Sequence, residues 1–166
     1  MVLGYAVIFA ALFFKVPQLM KIWKRRSTKG LSRVAAYAEL MSYFNTMAYA
    51  RHLKLDLSVY GETILISVQN LLVVLAIFWY EKKVKLHEKM LVLGLFALYA
   101  TVLLADESLT SKHWHLISSS VIACSAFARG SQFLENWKNQ STGLLAGGTV
   151  FLTFFISFSR TISVLL

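Results

Sequence analysis

The sequence predicts an all-α fold, a polytopic membrane helix bundle. Three observations carry that prediction. The chain has 166 residues and 57% of them are hydrophobic, against about 45–50% for a soluble domain, and its mean hydropathy is +0.61. The apolar residues come in blocks rather than in a 3.6-residue stripe, as expected of helices that are apolar all round in lipid. The cations crowd into the gaps between those blocks.

Six apolar blocks run over residues 2–22, 34–50, 59–80, 90–105, 114–134 and 144–166. A helix rises about 1.5 Å per residue, so about 20 residues cross a hydrocarbon core of roughly 30 Å. The first, third, fifth and sixth blocks meet that length. The second and fourth are somewhat short and span if their flanks reach to the interface. No alternating strand pattern competes with helices as the spanning element. The first block lacks a positive leading region and a small-x-small cleavage site before Lys15, so it reads as a retained helix rather than a signal peptide.

The gaps alternate in charge. Twelve Lys and Arg residues lie in or beside the odd-numbered gaps: Lys21, Lys24, Arg25, Arg26, Lys29, Arg33, Lys82, Lys83, Lys85, Lys89, Arg129 and Lys138. Three lie in the even gaps, Arg51, Lys54 and Lys112, the last beside Asp106 and Glu107. The positive-inside rule then puts the odd gaps in the cytoplasm and the N-terminus on the lumenal side. The formal charge of +9 is spent on this orientation, and no soluble basic face remains for nucleic acid. Membrane lipid is the expected surround. The sequon Asn139-Gln140-Ser141 falls on the cytoplasmic side, so it is expected to stay unmodified. The single cysteine, Cys124, reads as a small buried hydrophobe.

Residues 15–30, KVPQLMKIWKRRSTKG, recur in worn form as RGSQFLENWKNQSTG at 129–143. Gln18 aligns with Gln132, Lys15 with Arg129, Pro17 with Ser131, Trp23 with Trp137 and Lys24 with Lys138. Ser27-Thr28 then meets Ser141-Thr142 and, after one deletion, Gly30 meets Gly143. Both copies end an odd-numbered helix. The pattern predicts two parallel three-helix repeats joined by a linker helix, divided as 1–80, 81–112 and 113–166. Parallel repeats of this kind place a transport site at their interface. Pro17 removes one backbone hydrogen bond and its ring clashes with the Phe13 carbonyl, so the first helix is expected to kink there. Pro17 and Gln18, with Ser131 and Gln132 in the second copy, are the candidate hinge.

With the repeat and Lys15-Val16-Pro17-Gln18 in hand, the chain resembles the PQ-loop repeat family, a three-helix-repeat superfamily that includes the SWEET sugar transporters, the lysosomal cystine carrier and the KDEL receptors. It most resembles the branch of PQ-loop repeat-containing protein 3 and the mannose-P-dolichol utilisation defect protein, through Ser27 to Ser32 (STKGLS), Glu39-Leu40, Tyr60-Gly61-Glu62, Gln69 and Arg160. The resemblance implies seven helices and a second proline. Six blocks and Ser131 stand here instead, so the expectation is six spans, with the last helix of the second repeat missing or supplied by a partner chain or a homo-oligomer. It also implies an endomembrane location, ER or lysosome-like, and a small-molecule or lipid-linked sugar substrate moved by alternating access about Pro17. A non-transporting accessory role in the use of dolichol-linked mannose for glycosylation is the alternative.

Ionisable groups inside spans need partners, at about 2.5–3.5 kcal/mol each on insertion scales. Glu39, Asn45, Glu62, Gln69, Asn70 and Arg160 lie inside blocks and form the candidate polar path. Glu62 and Gln69 are seven residues apart and share a helix face. The competing reading is that these groups serve packing through interhelical hydrogen bonds. Ser118, Ser119, Ser120 and Ser125 make helix five small and polar, which favours close packing over ligand binding. His113 and His115 are two residues apart and face away from each other on a helix. No nucleophile–base pair, phosphate loop or zinc set appears, so neither an enzyme nor a metal or other cofactor is expected.

Overall fold

The computed structural model describes residues 8–104 and 109–140 of the chain. The sixth apolar block with Arg160, the loop carboxylates Asp106 and Glu107, and Ser141, Thr142 and Gly143 of the second copy lie outside the described residues. Among the described residues the regular structure is all helical. A helical turn at 8–11 is followed by α1 (Val16–Arg25), α2 (Arg33–His52), α3 (Leu57–Tyr80), α4 (Leu86–Leu104) and α5 (Ser111–Asn139).

Local chemistry sets the boundaries. The first apolar block does not bend at Pro17; it stops. Residues 12–15 leave the helix through tight turns, with Leu12, Phe13 and Phe14 N–H groups reaching back three residues to Phe9, Ala10 and Ala11. The helix restarts with Pro17 in its first turn, where a missing N–H leaves no bond unmade and the fixed φ suits helical entry. The chain leaves α1 through Arg26 in the left-handed region, φ 47°. Ser32 caps α2 by accepting from the Ala35 N–H at 3.2 Å. His113 turns back to accept from the Thr110 N–H at 3.2 Å and so closes the start of α5. The second and fourth blocks make longer helices than their apolar residues alone, 20 and 19 residues, because Arg33, Arg51, His52 and the 86–89 stretch join them.

Side-chain pairs fix how the helices run. Along α2, Ser32 meets Gln132, Ser42 meets Ser125, Asn45 meets Ser120 and His52 stacks on Trp114, so α5 runs opposite to α2. Met47 meets Ser67 and Tyr37 meets Phe78, so α3 also opposes α2. Arg33 pairs with Glu88 and Phe44 packs on Phe96, so α4 runs with α2. Ile8 lies against Gly61, Lys15 against Gln69, and Ile22 of α1 packs with Val74 and Ile77, so the first block, α1 included, runs with α3. Direction therefore alternates along the chain. The loops at 26–32 and 81–85 and the end of α5 share one end of the bundle, the end that carries most of the cations.

The surface is inverted relative to a water-soluble domain. Asn45, Gln69, Asn70, Glu62 and Lys15 are buried while many Leu, Ile, Phe and Trp side chains face outward. Trp23, Trp79 and Trp137 are 76%, 84% and 67% exposed, and each stands near the C-terminal end of α1, α3 or α5, at the basic end. Aromatic girdles of this kind mark a membrane interface. Among the described residues one helix, α3, is by its own length and composition apolar enough to cross a membrane.

Two apolar clusters sandwich a polar layer. Ile22, Leu40, Val73, Val74 and Ile77 pack toward the basic end; Ala11, Phe14 and Ile66 pack toward the other. Two serines of α5 contact α2: the Ser42 and Ser125 hydroxyls lie 2.8 Å apart, and Ser120 accepts from Asn45 at 2.7 Å. Ser125→Leu is expected to wedge these helices apart at a cost of about 1–3 kcal/mol, read as a lower unfolding midpoint in mild detergent.

Candidate functional site

The polar layer is built on two adjacent residues of α3. Successive helical side chains point about 100° apart, so Gln69 reaches the interruption before α1 while Asn70 reaches α2. In an unbroken helix the Lys15 N–H would donate to the Ala11 carbonyl. Here the Gln69 amide stands between them. Its Oε1 accepts from the Lys15 N–H at 2.7 Å, and its Nε2 donates to the Ala11 carbonyl at 2.7 Å and the Leu12 carbonyl at 3.2 Å. One side chain thus replaces the backbone bonds that the break forfeits. A break in low dielectric persists only when its freed groups are paired in this way.

Asn70 is fully buried. It donates to the Ala36 carbonyl of α2 at 2.9 Å and accepts from the Lys15 Nζ at 2.6 Å. Lys15, 4% exposed, also forms an ion pair through its ammonium with Glu39 of α2. Lys15, Glu39, Gln69 and Asn70 therefore make one cluster that ties the break to both neighbouring helices. A charge buried this deeply is stable only with such partners.

The remaining candidates are spread out. Asn45 anchors a second cluster, donating to Ser120 of α5 at 2.7 Å and accepting from the Tyr99 hydroxyl of α4. It lies six residues, about 9 Å of helical rise, beyond Glu39. Glu62 is buried two turns, about 10 Å, before Gln69 on α3. Gln18 is buried on α1. Ser131 and Gln132 sit inside α5, which runs unbroken through both. Gln132 grips the loop after α1: it accepts from the Ser32 N–H at 3.1 Å and donates to the Gly30 carbonyl at 3.0 Å and to Asn136 at 2.8 Å.

Sequence reasoning passed over Lys15 as a member of the cluster. The signal was available: a lysine inside an apolar run, directly ahead of Val16-Pro17-Gln18. Tyr99 gave no signal, since a tyrosine in an apolar block reads equally well as an interface residue. Among the described residues no group of three or more His, Cys, Asp or Glu side chains could hold a metal. Chemically, the cluster offers a buried cation, a carboxylate and two amides beside a discontinuous helix, a set suited to holding polar groups or exchanging partners with them.

No solved structure matches the chain. The family model of the PQ loop repeat matches residues 1–58, about one third of the chain, and that stretch contains the break, α1, α2, Lys15 and Glu39.

Proposed function

We propose that the protein is a multi-pass membrane protein of PQ-loop type that moves a small polar solute or a lipid-linked sugar by alternating access about the break at 12–15. The observation that carries this reading is the Gln69 amide seated in the interrupted ladder. In this reading the segment switches between the broken arrangement with Gln69 inserted and a continuous one with Gln69 withdrawn. Pro17 biases that choice, because the continuous form would lose the bond to the Phe13 carbonyl and incur a clash, about 3 kcal/mol together. In this reading the chain crosses the bilayer six times, as repeats at 1–80 and 113–166 around a linker at 81–112. The basic end faces the cytoplasm and the N-terminus the lumen of an endomembrane compartment, and no catalytic step or cofactor is involved.

Pro17→Ala is expected to lift that bias and trap the segment in its continuous form. A 3 kcal/mol change moves a two-state equilibrium by about two orders of magnitude, so initial uptake into proteoliposomes should fall at least about tenfold. The assay uses radiolabelled hexoses, amino acids and a short-chain dolichyl phosphomannose. Pro17→Ala uptake equal to the parent chain removes the hinge role.

One observation favours a second reading, a non-transporting accessory protein in dolichol-linked mannose use: α5 continues through Ser131 with no interruption, so the second copy has no matching hinge among the described residues. That reading predicts no flux with any of these solutes. It also predicts co-purification of a mannosyl-transferring enzyme in gentle detergent.

A further inference from the structure

We infer that the outward face of α1 binds the headgroup of an anionic phospholipid from the surrounding bilayer. The inference rests on the membrane placement proposed above and not on transport. A groove of about 650 Å³ is lined by Pro17, Met20, Lys21, Trp23, Lys24 and Arg26. Residues 17, 20, 21 and 24 recur at helical spacing and share one face. The face is graded along its length. Pro17 and Met20 come first, then Lys21 and Trp23, then Lys24 and Arg26 at the C-terminal end, over about 13 Å of helical rise. An acyl chain, a glycerol and a phosphate pass through the same order from the bilayer interior to the water.

Among the described residues the cations of the groove have no ion-pair partner: Lys15–Glu39, Arg33–Glu81 and Arg33–Glu88 use none of Lys21, Lys24 and Arg26. Residues 16–38 contain no Asp or Glu, so no local carboxylate can turn toward them. Part of this charge offsets the negative end of the α1 dipole, a role that Arg25, outside the groove, also fills. Trp23 sits at the level of Trp79 and Trp137, where headgroups meet protein. Basic pockets on the cytoplasmic side recognise anionic headgroups.

The test uses the full chain in phosphatidylcholine vesicles carrying a minor fraction of chain-brominated phosphatidylserine or, in parallel, chain-brominated phosphatidylcholine. Bromine quenches nearby indoles, and subtracting the signal of Trp23→Phe isolates Trp23. The brominated phosphatidylserine should quench Trp23 at a concentration at least about fivefold lower, the effect of one basic residue at an anionic surface. Lys21→Gln/Lys24→Gln/Arg26→Gln should erase the preference. Lys82→Gln/Lys83→Gln/Lys85→Gln, which removes equal charge from the same end, should keep it. Equal quenching by the two lipids, absence of quenching by either, or equal loss in both triple variants overturns the proposal. Displacement of the brominated phosphatidylserine by millimolar inorganic phosphate overturns it too, because the groove would then recognise free phosphate.

Discussion

Gln69→Ala should destabilise the bundle by about 2–4 kcal/mol. The substitution strips partners from the Lys15 N–H and the Leu12 carbonyl and removes one of two donors from the Ala11 carbonyl, which keeps the Phe14 N–H, and each buried group left unpaired costs about 1–3 kcal/mol. The sum is tempered because the segment can straighten and close Lys15 N–H onto Ala11. Pro17 prevents that closure from completing, since it brings no N–H to the Phe13 carbonyl. Gln69→Glu separates the two halves of the interaction. Its carboxylate still accepts from Lys15 but turns an anion toward two carbonyl oxygens, so it should be no better than alanine. Unfolding by increasing SDS in mixed micelles reads both variants. A loss below about 0.5 kcal/mol for Gln69→Ala, the range of an ordinary surface change, would show that the amide does not hold the break.

The second large effect lies in the Lys15–Glu39 pair. Glu39→Ala leaves the Lys15 ammonium buried with Asn70 as its one remaining partner among the described contacts. Breaking a buried pair from one side costs about 3–5 kcal/mol; the Asn70 oxygen moderates this, so about 3 kcal/mol is expected. Lys15→Met should cost less, about 1–2 kcal/mol, because the Glu39 side chain is 35% exposed and can swing to a more polar surround. The double variant Lys15→Met/Glu39→Ala should be more stable than Glu39→Ala alone, with a coupling of about 2 kcal/mol in the double-mutant cycle. Additive losses would mean that the two residues act separately and that the pair does not tie α1 to α2.

The helices and the polar residues of α3 were legible because both signals are local. Gln69 and Asn70 stand in an eighteen-residue stretch, 63–80, that has no charged side chain, so amides there advertise a partner on another helix. The alternation of charged gaps foretold the alternating helix directions for the same reason: each gap is read on its own. The break at 12–15 was not legible as a break. Proline in a helical pattern predicts a kink; what converts it into a full interruption is Gln69, 52 residues beyond Pro17, inserted in the ladder. Lys15 was hidden in the same way, since its burial depends on Glu39 and Asn70 from two other helices. The packing role of Ser120 and Ser125 on α5 was legible, but that these serines meet Asn45 and Ser42 depends on the register of α2 against α5. Arg160, the cation expected deepest in the membrane, lies outside the described residues.

The most direct test of the central claim is amide hydrogen exchange at Lys15, read by NMR on the chain in nanodiscs, for the parent and for Gln69→Ala. With the side-chain amide of Gln69 closing the interrupted ladder, the Lys15 N–H should exchange slowly in the parent and at least about tenfold faster in the variant, the equivalent of one lost bond of about 1.4 kcal/mol. Val74 and Ile77, in the core of α3, should keep their protection in both. Equal protection of Lys15 in parent and variant would mean that its N–H does not depend on the Gln69 amide, and the account of a break sealed by that side chain would be wrong.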